Sequence, residues 1–206
     1  MTRRARQVLI FGKYPEPGRV KTRLAASIGV DNAAQIAAQL LELTIQRLSP
    51  LMSDGIDVIL YIDPPEREPD FRNRFGDDLN IRSQPAGDLT ARLTAAYEYD
   101  RSADIIVVGS DCPGITSNLA RDAFAQITDR QMVFGPTDDG GFYLMGARGL
   151  PDGFFRNIRW SSEVTLSELE QRAEDRGFRL VRLPRLFDVD THSDLQQWQA
   201  GDFERE

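Results

Sequence analysis

The sequence predicts one α/β domain, a doubly wound, mostly parallel sheet with helices on both faces. Three observations predict it. Short apolar runs recur, and each stops at glycine, proline or aspartate, as buried strands do. Segments with apolar residues at helical spacing alternate with those runs, the order expected of βαβ units. The residues with chemical potential gather just after the runs, where open α/β sheets bind ligands.

Residues 7–11 (QVLIF) form the first strand, closed by Gly12 and a proline-rich turn. Residues 31–48 read as a helix that Asp31 can cap, with Ile36, Leu40, Leu43 and Leu48 along one stripe. Residues 57–62 (DVILYI) are the second strand, ended by Asp63-Pro64-Pro65. The stretch 66–78 is charged and unpatterned, a surface excursion with a short helix. A short strand at 80–83 precedes a helix over 88–99, and 104–109 (DIIVVG) is the clearest buried strand. A helix over 117–127 follows, capped by Thr116 or Ser117. Residues 131–134 and 141–147 are two strands around a turn, and a helix covers 163–176 with Gly177 at its C′ position. The last strand is 179–183, and a final helix starts near Ser193.

The chain has 206 residues, 41% of them apolar and 28% charged, which suits one globular domain and excludes disorder as the default. A net charge of −7 disfavours nucleic-acid binding. Against that background Lys13, Arg19, Lys21 and Arg23 form a basic island suited to a small anion. Cys112 is the single cysteine, so no intramolecular disulfide can form. The N-terminus is Arg-rich, but the apolar run 8–11 is too short for a signal-peptide core, and no stretch could span a bilayer. A cytoplasmic protein without membrane or nucleic-acid partners is expected; the oligomeric state is not readable.

Four clusters follow strand ends. The first is GKYPEPGRVKTRL (12–24), where Gly12 and Gly18 let backbone N–H groups approach a phosphate and Lys13, Arg19, Lys21 and Arg23 neutralise it. It matches neither the P-loop nor the dinucleotide fingerprint, and its bland reading is a solvated basic turn. The second is GSDCPG (109–114), in which Asp111 leaves a buried strand where Mg²⁺ could be held with substrate phosphates; a turn or cap is the alternative. Cys112 beside it reads as a small buried filler rather than a nucleophile. The third, GPTDDGGFYL (135–144), pairs Asp138 and Asp139 with glycines, and a polar hairpin turn would explain it equally well. In the fourth, DVDTHSDL (188–195), Thr191 and Asp194 fit a capping arrangement that leaves Asp190 free to ligate. Gly87 and Asp88 open a helix near the third strand, where a nucleoside could dock or a helix simply start. Trp160 reads as a core residue at a helix entry, and His192 as an exposed residue at another.

Together these strings resemble the GT-A-type nucleotide-diphospho-sugar transferase superfamily. More narrowly, they resemble the bacterial glycosyltransferase-like, radical-SAM/selenodomain-associated transferase group related to 2-phospho-lactate guanylyltransferase. The likeness runs from Val8 to Leu195. It implies that the N-terminal loop cradles nucleotide phosphates and that Asp111 and Asp190 hold Mg²⁺ or Mn²⁺. It further implies that Gly87 and Asp88 line the nucleoside, and that Asp138, Asp139, Gly140, Gly141, Tyr143 and Trp160 meet the acceptor. The loop lacks the G-x-G-x-R spacing of sugar-nucleotide pyrophosphorylases, which points away from sugar-1-phosphates.

The expected function is Mg²⁺-dependent nucleotidyl transfer from an NTP to a small phosphorylated or carboxylated acceptor, with Lys21, Asp111, Asp138 and Asp139 as catalytic residues. Glycosyl transfer from a nucleotide sugar is the alternative, with Asp138 or Asp139 as base. A non-catalytic nucleotide-binding module would not need two metal carboxylates, and a dinucleotide oxidoreductase lacks its glycine fingerprint.

Overall fold

The computed structural model of the protein describes residues 4–77 and 79–201. Residues 1–3 of the Arg-rich N-terminus and Asp78, the expected end of the charged excursion, lie outside the described residues. The strands are β1 (Arg6–Lys13), β2 (Asp57–Asp63), β3 (Asn80–Ser83), β4 (Asp104–Gly109), β5 (Gln131–Pro136), β6 (Phe142–Arg148) and β7 (Arg179–Arg182). The helices are α1 (Thr22–Ile28), α2 (Val30–Leu48), α3 (Glu68–Phe75), α4 (Leu89–Glu98), α5 (Ser117–Gln126), α6 (Thr165–Asp175) and α7 (His192–Gln199).

All seven strands form one sheet in the order β3-β2-β1-β4-β6-β5-β7. β6 alone runs antiparallel to its neighbours. The short β5–β6 connection dictates this, since a parallel return needs a crossover of a dozen or more residues.

Side chains alternate across the sheet. Val8, Ile10, Ile106 and Val108 pack on one face with α2 and α5. Leu9, Ile105 and Val107 pack on the other with α4 and α6. Helices therefore cover both faces, as the alternating pattern predicts. A third cluster joins α1, α2 and α7 through Leu24, Ala33, Leu40, Val189 and Leu195.

Two details differ from the sequence reading. Residues 22–28 form a helix that is too short to show a hydrophobic period, so its start reads as loop. It is pinned by Leu24, which is fully buried; burial of such a side chain contributes about 1.5–3 kcal/mol. The following helix begins at Val30 on a Gly29 cap with φ of 85°, so Asp31 is not the cap. It sits in the first turn, where a carboxylate still favours the helix dipole. The expected caps Thr116 and Thr191 are confirmed, the latter in a complete capping box with Asp194.

Candidate active site

Three segments converge beyond the C-terminal ends of β1 and β4. The basic loop leaves β1, residues 110 and 111 leave β4, and the extended segment 187–190 leads into α7. The Val189 N–H donates to the Asp111 carbonyl at 3.0 Å, which ties the last two together. Val189 is fully buried. In extended chain its neighbours Asp188 and Asp190 point the other way, toward the site.

Lys21 stands at the centre. Its Nζ lies 2.7 Å from Asp111 Oδ1 and 3.0 Å from Asp190 Oδ1. The Lys21 side chain is 4% exposed, while those of Asp111 and Asp190 are 50% and 37% exposed. Burial works against the Lys21 charge, yet the two carboxylates outweigh it and hold the ammonium above the usual lysine pKa. Lys21 takes a left-handed backbone conformation (φ 48°, ψ 44°) as the residue that starts α1. A non-glycine residue there costs on the order of 1 kcal/mol. Arg23 Nη1 approaches the far side of Asp190 at 3.7 Å.

These residues line a cleft of about 420 Å³ with Lys13, Arg19 and Ser110. Two carboxylate oxygens reaching one cation is the geometry a shared divalent ion requires, and hard oxygen donors suit Mg²⁺ or Mn²⁺. Among the described residues no cluster of three or more metal-ligating side chains occurs. The remaining coordination would come from phosphate oxygens and water, the usual arrangement for Mg²⁺. The site fits such an ion on those terms.

A second cavity of about 240 Å³ shares Phe11 and Gly109 with this cleft. Leu89, Leu93, Phe142 and Trp160 wall it; Ser162, Thr165, Asp139 and Asp188 supply polar groups. No lysine, arginine or histidine lines it among the described residues. Asp139 Oδ1 is fixed by the Thr137 hydroxyl at 2.6 Å and the Gly141 N–H at 3.0 Å. Trp160 is held by its indole N–H, which donates to Thr90 Oγ1 at 2.8 Å. Asp188 is pushed up to about 8, chiefly by burial and then by Asp111, with Lys21 opposing the shift.

Lys13, Arg19, Lys21, Arg23, Asp111 and Asp190 thus share one cleft, while Asp139, Gly141 and Trp160 share the adjoining one. Other expected site residues take structural places. Tyr143 is buried between strands, its hydroxyl donating to the Pro184 carbonyl at 3.0 Å. Gly12 lies under α2, where a Cβ would press on Leu60 at 2.9 Å. Gly18 makes a turn at φ 79° and does not line the cleft. Asp88 caps α4 by accepting from the Ala91 N–H at 3.0 Å, and neither it nor Gly87 lines the two cavities. Gly140 packs directly on the Glu163 backbone, where a Cβ would collide. Asp138 is 69% exposed, 3.9 Å from Arg185, and lines neither of these two cavities but a third that it shares with Asp139, Asp190 and Arg23. Cys112 is buried with its thiol pushed up by burial, the filler expected of it. Asp188 was not singled out; the alternation Asp188-Val189-Asp190 is the signal that carries it.

A family model described as "Uncharacterized protein conserved in bacteria (DUF2064)" matches residues 48–162. The chain belongs to this family. Its matched region carries Asp111, Asp139 and Trp160, while the basic loop and Asp190 lie outside it. A comparison with curated proteins gave no match.

Among solved structures, a Desulfovibrio desulfuricans G20 protein, provisionally described as a nucleotide-diphospho-sugar transferase, is 28% identical with a TM-score of 0.86. The alignment covers 97% of this chain and 88% of that one. A nucleotidyl transferase from Methanothermobacter is 15% identical (TM-score 0.65, covering 96% and 97%). A CMP:2-keto-3-deoxy-manno-octonic acid synthetase complexed with CTP is 13% identical (TM-score 0.58, covering 96% and 98%). The fold is that of the nucleotide-diphospho-sugar transferase superfamily, as the sequence motifs imply, and the likeness supports a transferase. No helix among the described residues is long and apolar enough to cross a membrane.

Proposed function

We propose that the protein is a metal-dependent transferase that holds the diphosphate of a nucleotide-activated donor in the Lys21 cleft. It passes the activated group to an uncharged hydroxyl acceptor in the adjoining cavity. The observation that carries this reading is the meeting of Asp111 and Asp190 at one cation in a cleft otherwise lined by Lys13, Arg19 and Arg23. That combination matches a metal-bridged diphosphate and is redundant for a structural ion pair. The Desulfovibrio relative's description points the same way.

The division of labour follows from position. Lys13, Arg19, Lys21 and Arg23 bind the donor phosphates and offset the charge that grows on the departing diphosphate. Asp111 and Asp190 would hold Mg²⁺ or Mn²⁺, which supplies further neutralisation of that charge when bound. The acceptor oxygen attacks the carbon joined to the diphosphate, and the breaking C–O bond leaves its electron pair on the phosphate oxygen. Asp139 is placed to take the acceptor proton, since it lines the cavity with one oxygen tethered. Asp138 does not line that cavity.

The lining of the adjoining cavity, with Asp139 and Asp188 and no cation among the described residues, favours an uncharged acceptor. A second carboxylate or phosphate about 5 Å from Asp139 costs roughly 3 kcal/mol at an effective dielectric constant of about 20. The nearby arginines are committed: Arg159 to Glu168 at 2.5 Å, and Arg185 to the Thr137 carbonyl at 2.8 Å. Nucleotidyl transfer from an NTP remains the second reading, favoured by four cations around one phosphate cleft, enough for a triphosphate.

Incubation with Mg²⁺ and separate NTP and nucleotide-sugar panels, read by mass spectrometry, tests both. Nucleotide sugars consumed with release of nucleoside diphosphate support the first reading. Pyrophosphate formed from an NTP moves the assignment to the second, and no turnover of either panel contradicts both.

A further inference from the structure

The Lys21 ammonium occupies the point that a divalent ion on Asp111 and Asp190 would need. Its Nζ is 2.7 Å from one carboxylate and 3.0 Å from the other. An ammonium and a divalent ion cannot share that point, because each needs the same oxygen lone pairs and they repel one another. We propose that Lys21 is the resident counter-ion of the metal site, which leaves it only when donor phosphates arrive. Metal and nucleotide then enter together rather than independently.

Three features make the exchange possible. Lys21 lines the phosphate cleft as well as contacting both carboxylates, so its ammonium has a second destination among the phosphate oxygens. Its backbone is fixed, because α1 begins at the next residue and Leu24 anchors that helix in the core. Rotation of the four-carbon stem therefore suffices, without loop rearrangement. Arg23 cannot replace it as counter-ion: its guanidinium stands 3.7 Å from Asp190 alone, and its side chain is 69% exposed. The arrangement has a purpose in group transfer. A metal bound before the donor would sit among water molecules, whereas Lys21 keeps the two carboxylates neutralised and spaced until the diphosphate is present.

The inference rests on reading Asp111 and Asp190 as a metal pair, and the experiment separates the two ideas. Mn²⁺ alone is titrated into the full chain, with no nucleotide, and free Mn²⁺ is followed by electron paramagnetic resonance. Lys21→Met should bind Mn²⁺ about tenfold or more tightly than wild type, since a buried competing charge is removed. Lys21→Arg, which keeps a cation there, should stay as weak as wild type. Lys21→Gln replaces Lys21→Met if thermal melts show that the latter does not fold, with the same gain expected. Equal Mn²⁺ affinity in wild type, Lys21→Met and Lys21→Gln overturns the counter-ion role and leaves the metal pair standing. No Mn²⁺ binding by any variant overturns both.

Discussion

The Val189 N–H donates to the Asp111 carbonyl at 3.0 Å, and this single backbone bond fastens the segment before α7 to the loop after β4. It brings two carboxylates separated by 79 positions (190 − 111) to one ammonium. Val189 is buried on the far side with Leu24 and Leu195, so the same residue that builds the third core sets the spacing of the site.

Asp111 has no capping role in the structure, and in its absence Asp190 still pairs with Lys21 at 3.0 Å. Asp111→Asn should lower metal-dependent turnover by about 10²-fold or more, the scale of a lost electrostatic contribution to the transition state. Its thermal midpoint should stay within a few degrees of wild type. A large loss of stability would assign Asp111 a structural role instead.

The cations of the cleft should act on nucleotide affinity. Arg23→Ala and Lys13→Ala should each weaken nucleoside diphosphate binding by about 1–3 kcal/mol, as expected for one charge-assisted hydrogen bond. Calorimetric titration reads this directly. Unchanged affinity in both variants would remove the loop from the donor site.

The two adjacent aspartates should behave differently. Asp139→Asn keeps an oxygen to accept from Thr137 and Gly141, so the turn survives while the base is lost. Turnover with a hydroxyl acceptor should fall by about 10²-fold or more. Asp138→Asn should leave it close to wild type, because that side chain is exposed and outside the acceptor cavity. Equal effects of both substitutions would contradict the assignment of Asp139 as base.

Gly135 lies against the face of the Tyr143 ring, and a Cβ there would collide with the ring carbons. Gly135→Ala should destabilise the fold by about 1–3 kcal/mol through overpacking. For a chain of this length that lowers the melting temperature by several degrees, at about 2–4 °C per kcal/mol. An unchanged melting temperature would mean that Tyr143 is less firmly seated than its buried hydroxyl bond implies.

Most of the fold was legible because each buried strand is a short apolar run with a turn residue at its end. Asp111, Lys21 and Asp190 were legible for a related reason: each follows such a run, and strand ends are where this fold binds ligands. Tyr143 was misplaced because a contiguous string, Gly135 to Leu144, hides the two-residue alternation of β6. Phe142 faces the acceptor cavity and Tyr143 turns into the opposite core. Asp139 parts from Asp138 in the turn between β5 and β6, where Thr137 and Gly141 tether Asp139 alone, while two-residue alternation around the buried Val189 joins Asp188 to Asp190. Helix α1 escaped notice because seven residues give fewer than two turns of periodicity.

In the proposed function, Asp111 and Asp190 couple a divalent ion to a nucleotide diphosphate. Calorimetric titration of a nucleoside diphosphate into wild type and Asp190→Asn, each with Mg²⁺ and with a chelator, tests it most directly. Mg²⁺ should tighten binding about tenfold or more in wild type, as a shared ion between protein and phosphate does, and should have little effect in Asp190→Asn. Equal affinity of wild type with and without Mg²⁺ would contradict it.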